Sequence, residues 1–235
     1  LLPRMSRAAH AGLTRAVADD VSGGMRLVAA LLVPAAGLFV VLGPTIGLLL
    51  YGYGSTSRGQ ASLIGTILSL FAIGLVPFSL FYVLVRGFYA LEDTRTPFRL
   101  TIVLNVLNLL FAVPLFYALP VDLRVPGLAL GYSLAYLATF FLAWRVLSRR
   151  LGGLETRQTL RALLRLSLAG LVAMAACVGT LLLLAGLAED VVGTVLRLAG
   201  AGTVFALVYL GLARLLHIDE VGQVTAMVTS RLRRR

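Results

Sequence analysis

Residues 27–57, LVAALLVPAAGLFVVLGPTIGLLLYGYGSTS, contain no charged side chain. A helix rises about 1.5 Å per residue, and ~20 residues cross the hydrocarbon core of a bilayer. This stretch is long enough to do so with residues to spare. Five further apolar stretches follow it: Gly59–Val85, Leu100–Val121, Val125–Trp144, Leu166–Ala188 and Leu198–Ala213. The last reaches full length if Val191–Leu196 joins it across Arg197. A soluble core has no place for six such helices. The pattern predicts an all-α, polytopic membrane helix bundle with six complete transmembrane helices. Composition agrees, with 59% hydrophobic and 13% charged residues.

The formal net charge is +11, and every basic residue is arginine. A basic chain of this kind can bind nucleic acid. The positions of the arginines favour a different account. If residues 1–24 are cytoplasmic and the sides alternate from there, all arginines but Arg58, Arg124 and Arg197 fall on or beside the cytoplasmic segments. That is the positive-inside pattern, and it predicts both ends on the cytoplasmic side of the membrane, the bilayer as partner and no nucleic acid.

The sequence divides into the end of a preceding helix plus a basic cytoplasmic connector (residues 1–24), four spans (25–150), two additional spans (151–217) and a basic tail (218–235). Pro3–Gly24 reads as a surface helix, with Gly23-Gly24 breaking it before the first span. That span holds Pro34, Gly37, Gly43, Pro44 and Gly47. Proline removes a helical hydrogen bond, so these residues either fit the helix to its neighbours or supply a bend that opens a cavity. The last two spans lack internal Asn and Pro and read as lipid-facing.

Little points to catalysis. The lone Cys177 cannot form an internal disulfide. His10 and His217 belong to no metal-ligand spacing, and a chain without lysine has no phosphate-binding Gly-x-x-x-x-Gly-Lys loop. No catalytic residue, metal site or cofactor is expected, and with no ATP site any movement of a solute across the membrane would draw on a sodium or proton gradient, the membrane potential or consumption of the product.

Two features point to function. Asn105 and Asn108 are three residues apart in the third span and share a helix face. They act either as interhelical hydrogen-bonding residues or as the lining of a polar path. Ser133 lies in the fourth span. The second feature is residues 86–98, RGFYALEDTRTPF. Gly87 reads as a helix stop, and Thr96-Pro97 as an N-cap followed by proline at the first helical position. Glu92, Asp93, Arg95 and Arg99 form a charged cluster, either a capped connector or a gate in which Glu92 or Asp93 pairs with Arg95, Arg99 or an arginine of another lobe of the protein.

Residues 86–98 resemble the loop between the tenth and eleventh helices of the MurJ/MviN lipid II flippases, where a Phe-Tyr-Ala-x-x-Asp-Thr-Arg-Thr-Pro string is typical. Residues 1–9, LLPRMSRAA, are similar to the end of that family's eighth helix, and the six spans fit helices nine to fourteen. The resemblance implies the C-terminal half of a MOP-superfamily flippase, in which two six-helix lobes face a central cavity. It also implies a partner, the missing N-terminal lobe. The implied activity is transfer of the polyprenyl-diphosphate-linked peptidoglycan precursor from the inner to the outer leaflet by alternating access. It further implies that the two extra helices, broadly Leu160–Leu184 and Val191–Leu216, offer a groove to the polyprenyl tail. Some members bind sodium through the eleventh and twelfth helices, which here carry Asn105, Asn108 and Ser133. The rivals are another polysaccharide-lipid or drug exporter of the superfamily and a non-transporting membrane scaffold.

Overall fold

The computed structural model describes residues 2–52, 54, 56–186 and 190–216. The basic tail from 218, His217 and Tyr53 lie outside them. Among the described residues seven α-helices follow one another: α1 (Leu2–His10), α2 (Thr14–Tyr51), α3 (Arg58–Ala90), α4 (Arg95–Ala118), α5 (Arg124–Arg150), α6 (Thr156–Leu183) and α7 (Val191–Leu215). Short 3-10 turns precede α5 and follow α6, and there is no strand among the described residues. All helices but α1 lie in segments long and apolar enough to cross a membrane, as the sequence predicts.

The break at Gly23-Gly24 does not occur. Helix α2 runs unbroken through both glycines and through Pro34 and Pro44. The chain turns earlier, at Gly12, whose φ is +70°. Gly12 N–H donates to the Ala9 carbonyl and Leu13 N–H to Ala8, which is a Schellman closure of α1. Val17, Val21 and Met25 are fully buried on one face of the following turns, and their burial offsets the ~1 kcal/mol that each glycine costs a helix. A Cβ on Gly23 would meet nothing within 4 Å. Gly23→Ala is therefore expected to raise the thermal midpoint, with a gain of about 0.5–1 kcal/mol. A lower midpoint in a detergent melt would contradict a continuous α2.

The described contacts divide the chain into two compact units, one formed by the chain up to Ala29 with Gly74–Leu163, the other by Ala30–Ile73 with the chain from Leu164 on. In the first, Phe88, Leu84 and Leu147 are fully buried. A Cβ on Gly87 would come 2.8 Å from Leu147 Cδ2 and 3.0 Å from Val21 Cγ2. Gly87 is thus a point of close packing within α3, which continues to Ala90, and not the helix stop expected. Gly131 serves likewise on α5, where a Cβ would lie 3.1 Å from the Ala112 amide of α4.

The second unit rests on small residues. A Cβ on Gly65 of α3 would lie 2.6 Å from the Gly43 carbonyl carbon and from Pro44 Cα of α2, and one on Gly47 would lie 2.8 Å from Gly65 Cα. The two backbones touch. This is the small-residue packing that drives helix association in lipid, where burial of apolar surface gives no net gain. Ser69 Oγ donates to the Phe39 or Gly65 carbonyl, at 3.1 and 3.2 Å. Helices α6 and α7 each bury a single stripe, Leu166, Ala169, Ala173 and Cys177 on one and Ala201, Phe205, Tyr209 and Ala213 on the other. Gly37 of α2 receives the Phe205 ring, and a Cβ there would stand 2.9 Å from its Cζ.

Candidate functional site

The corner between α3 and α4 is built by the first unit alone. Helix α3 closes with Glu92 N–H donating to Tyr89 O and Asp93 N–H to Phe88 O, each at 3.0 Å. This is again a Schellman closure, and it needs a left-handed residue after the C-cap. Gly12 and Gly152 fill that position at the ends of α1 and α5, with φ of +70° and +71°, but here it is Glu92, at +58°. A Cβ in this region costs roughly 1–2 kcal/mol. Glu92 Oε1 reaches His10 Nε2 at 3.1 Å, and both side chains are largely exposed. An exposed pair of this kind is worth only ~0–1 kcal/mol. Glu92→Gly is thus expected to hold or raise stability, by up to about 1 kcal/mol. A clear loss in a chemical or thermal melt would assign Glu92 a larger role than the corner geometry gives it.

Asp93 starts the next helix. Its Oδ1 accepts from the Arg95 and Thr96 amides, both at 3.0 Å, and its Oδ2 meets the Arg150 guanidinium at the end of α5. The expected cap at Thr96 is therefore displaced. Thr94 is the N-cap residue, with no side-chain cap of its own, and Thr96 and Pro97 sit in the first turn. Pro97, which is buried there, donates no amide, and first-turn amides have no intrahelical acceptor anyway. The acidic partners also differ from expectation: Arg95 and Arg99 make no ion pair among the described residues, and Arg150 takes their place. Partial burial pushes the Asp93 carboxyl up. The Thr96 hydrogen bonds, the Arg150 charge and the Arg95 amide together outweigh that and hold it below the ordinary 3.8.

A second ion pair braces the same unit. Arg26 of α2 donates to Glu155 Oε2 at 2.9 Å, with both side chains mostly shielded. Glu155 ends the short segment after α5, where Gly153 N–H closes onto Ser148 O and the Leu154 amide onto Ser148 Oγ.

The polar residues of the spans fall differently. Asn105 is exposed on α4, and its amide donates to the Thr101 carbonyl of its own helix at 2.8 Å. It does not act as an interhelical bond there. Asn108 is half-buried on the same helix. Ser133 is buried on α5, against Gly74 of α3, where an added Cβ would come 2.6 Å from Ser133 Oγ. Around that contact lies an aromatic cluster that the sequence did not announce. The Tyr136 ring centroid is 4.8 Å from Tyr132 and 4.9 Å from Phe78, and Phe78 is 5.0 Å from Tyr82. The i, i+4 spacing of Tyr132 and Tyr136 and of Phe78 and Tyr82 was a visible signal, but the meeting of the two helices was not.

Six membrane-length helices, a close-packed glycine contact and an ion-paired corner define a polytopic helical membrane protein. A profile of the family described as "Lipid II flippase MurJ" matches residues 1–199, and the chain belongs to that family. It is 27% identical over 222 residues to a "Probable lipid II flippase MurJ" of Buchnera aphidicola subsp. Baizongia pistaciae, covering 90% of this chain and 42% of that protein. It is 34% identical over 135 residues to the protein of the same description from Rhizobium tropici, covering 57% and 25%. Its fold is similar to a solved structure described as "Lipid II flippase MurJ, inward closed conformation", with a TM-score of 0.64 at 18% identity, covering 92% of this chain and 42% of that one. The chain thus spans less than half the length of these relatives.

Proposed function

We propose that this chain forms the C-terminal part of a flippase that carries the lipid-linked peptidoglycan precursor from the inner to the outer leaflet of a bacterial plasma membrane by alternating access. The family match over residues 1–199 carries the proposal. The chemistry of the task agrees with it. A sugar-diphosphate headgroup cannot cross hydrocarbon unaided, whereas its polyprenyl tail can stay in lipid. The apolar α6 and α7 offer the tail a surface, and both chain ends lie on the cytoplasmic side by the arginine asymmetry. Asn105, Asn108 and Ser133 contribute to the polar path or to ion coupling. The segment Glu92–Pro97 makes α3 and α4 move as one body. The other partner is an N-terminal lobe that supplies the facing wall of the cavity, and the reaction is transport and not bond chemistry.

The test is translocation of lipid II in reconstituted vesicles. A full-length protein carrying this chain as its C-terminal part is expected to translocate, and the 235-residue chain alone is not. Translocation by the isolated chain, or none by the full-length protein, would overturn the proposal.

A further inference from the structure

The corner between α3 and α4 holds a contact that the transport path does not use. Glu92, at φ +58°, is the one non-glycine residue with positive φ among the described residues. That conformation is uncommon for a residue with a side chain, and such strain persists only where the surroundings impose it. Glycine closes the ends of α1 and α5 in the same way, at Gly12 and Gly152. Glutamate gives the corner no stability that glycine would lack. It does give it a carboxylate, and that carboxylate faces His10, the last residue of α1.

Both ring nitrogens of His10 meet acceptors. Nδ1 lies 2.8 Å from the Ser6 carbonyl oxygen, and Nε2 lies 3.1 Å from Glu92 Oε1. A carbonyl oxygen and an ionised carboxylate only accept hydrogen bonds, and a neutral imidazole has a single N–H to donate. The neutral ring therefore serves one oxygen and turns a lone pair toward the other. The Ser6 bond is the shorter and spans one turn of its own helix, so it keeps the proton, and the Glu92 bond is the one lost. Only the imidazolium serves both oxygens. Histidine changes charge between about pH 5 and 8. The other charged or titratable groups on the elements around this contact are Arg7 on α1, Arg15 on α2, Tyr89 on α3, Asp93 and Arg95 at the corner, and Arg150 on α5. Arginine stays charged throughout that range. Asp93 stays ionised, since partial burial is outweighed by the Thr96 and Arg150 contacts that hold its carboxyl below 3.8.

We propose that His10 and Glu92 form a proton-operated clasp, which fastens the end of α1 to the α3–α4 corner while the imidazole carries both protons and releases it as pH rises. The neighbourhood suits a contact that opens. Residues His10–Arg15 are all exposed, and a Cβ added at Gly12 would meet nothing within 4 Å, so packing does not hold the α1–α2 link. Met5, buried one turn and a half earlier, anchors the body of α1. Both clasp side chains are largely exposed, so the effect is a bias and not a lock, on the order of fivefold at most in the closed-to-open ratio. The clasp is independent of flipping, and its failure would leave the transport proposal untouched.

Double electron–electron resonance between spin labels on A11C and T94C tests this in a full-length protein that carries this chain, with Cys177 and every other native cysteine replaced by alanine. Both labelled positions are exposed, and Thr94 makes no side-chain cap bond. At pH 5.5 a short, narrow distance is expected to dominate. Between pH 5.5 and 8 a longer, broader population should grow, and the closed-to-open ratio should fall about two- to fivefold and recover on return to pH 5.5. H10A should be open at both pH values. E92Q keeps an acceptor and adds a donor, so it can bond either form of the ring, and its pH step should vanish. Circular dichroism and a thermal melt confirm that each variant is folded, and both substitutions are at exposed positions. Identical distance distributions at the two pH values in the native sequence overturn the proposal. So does a step of unchanged size in folded H10A or E92Q, which would assign the titration to another group. A closed population retained in H10A would show that packing alone holds α1, and it overturns the clasp as well.

Discussion

Gly65→Ala is expected to cost about 3 kcal/mol or more and to lower the yield of folded protein in detergent sharply. The added methyl carbon would lie 2.6 Å from the Gly43 carbonyl carbon and from Pro44 Cα. Neither atom belongs to a flexible side chain, so relief requires moving α2 and α3 apart. Separation would also pull Ser69 from the Phe39 carbonyl and open the neighbouring contact at Gly47. In lipid no hydrophobic gain draws the helices back, because acyl chains are as apolar as the residues they would solvate. Gly179→Ala and Gly211→Ala supply the control. Both glycines are helical, and an added Cβ at either meets nothing within 4 Å. They should be neutral or slightly stabilising. Comparable melts for Gly65→Ala and the two controls would show that the α2–α3 contact yields more easily than its backbone spacing implies.

The six spans were legible because crossing hydrocarbon demands a long charge-free run, and that demand is written along the sequence. The pair Gly43-x-x-x-Gly47 was visible too, though only as a kinked helix. Its complement, Ala61-x-x-x-Gly65-x-x-x-Ser69, lies on another span, and no local rule joins the two. Local rules also misplaced Gly23-Gly24 and Gly87. Glycine ends helices in water, where its freedom is costly, but buried Val21, Met25 and Phe88 hold those turns in place by tertiary packing. The loop at residues 91–94 was recognised as compact and capped. Its partners were out of reach, because Asp93 meets Arg150 57 positions away and Arg26 meets Glu155 129 positions away. Asn105 was read as either an interhelical hydrogen-bonding residue or the lining of a polar path; an amide four residues beyond a carbonyl can also bond to its own helix, and here it does so with Thr101. The aromatic cluster around Ser133 depends on α3 meeting α5, which spacing within either helix does not determine.

Asp93→Ala is expected to destabilise by about 2 kcal/mol, and Asp93→Asn by no more than about 1 kcal/mol. Alanine removes the acceptor of the Arg95 and Thr96 amides and also the Arg150 partner. Asparagine keeps a side-chain carbonyl for the two amides and loses only the charge. The gap between the variants therefore measures the cap, and the loss in Asn measures the ion pair. Arg150→Gln should match Asp93→Asn, and the double substitution should add little, since both remove one interaction. The pH dependence has a definite sign. The native carboxyl is held below the unfolded value near 3.8, so its contribution is complete above that pH and is lost as pH falls through the lower native value. The advantage of the native chain over Asp93→Asn should thus be constant from neutrality to about pH 5 and should narrow below 3.8. A narrowing at higher pH would mean that the Arg150 pair and the Thr96 bonds do not dominate. Transport by a full-length protein separates a static corner from a moving one. If the pair persists in every state, Asp93→Asn shifts only the melt. If it breaks during each cycle, a loss of ~1.4 kcal/mol in one state shifts the conformational equilibrium about tenfold. Transport then falls while the amount of folded protein is unchanged.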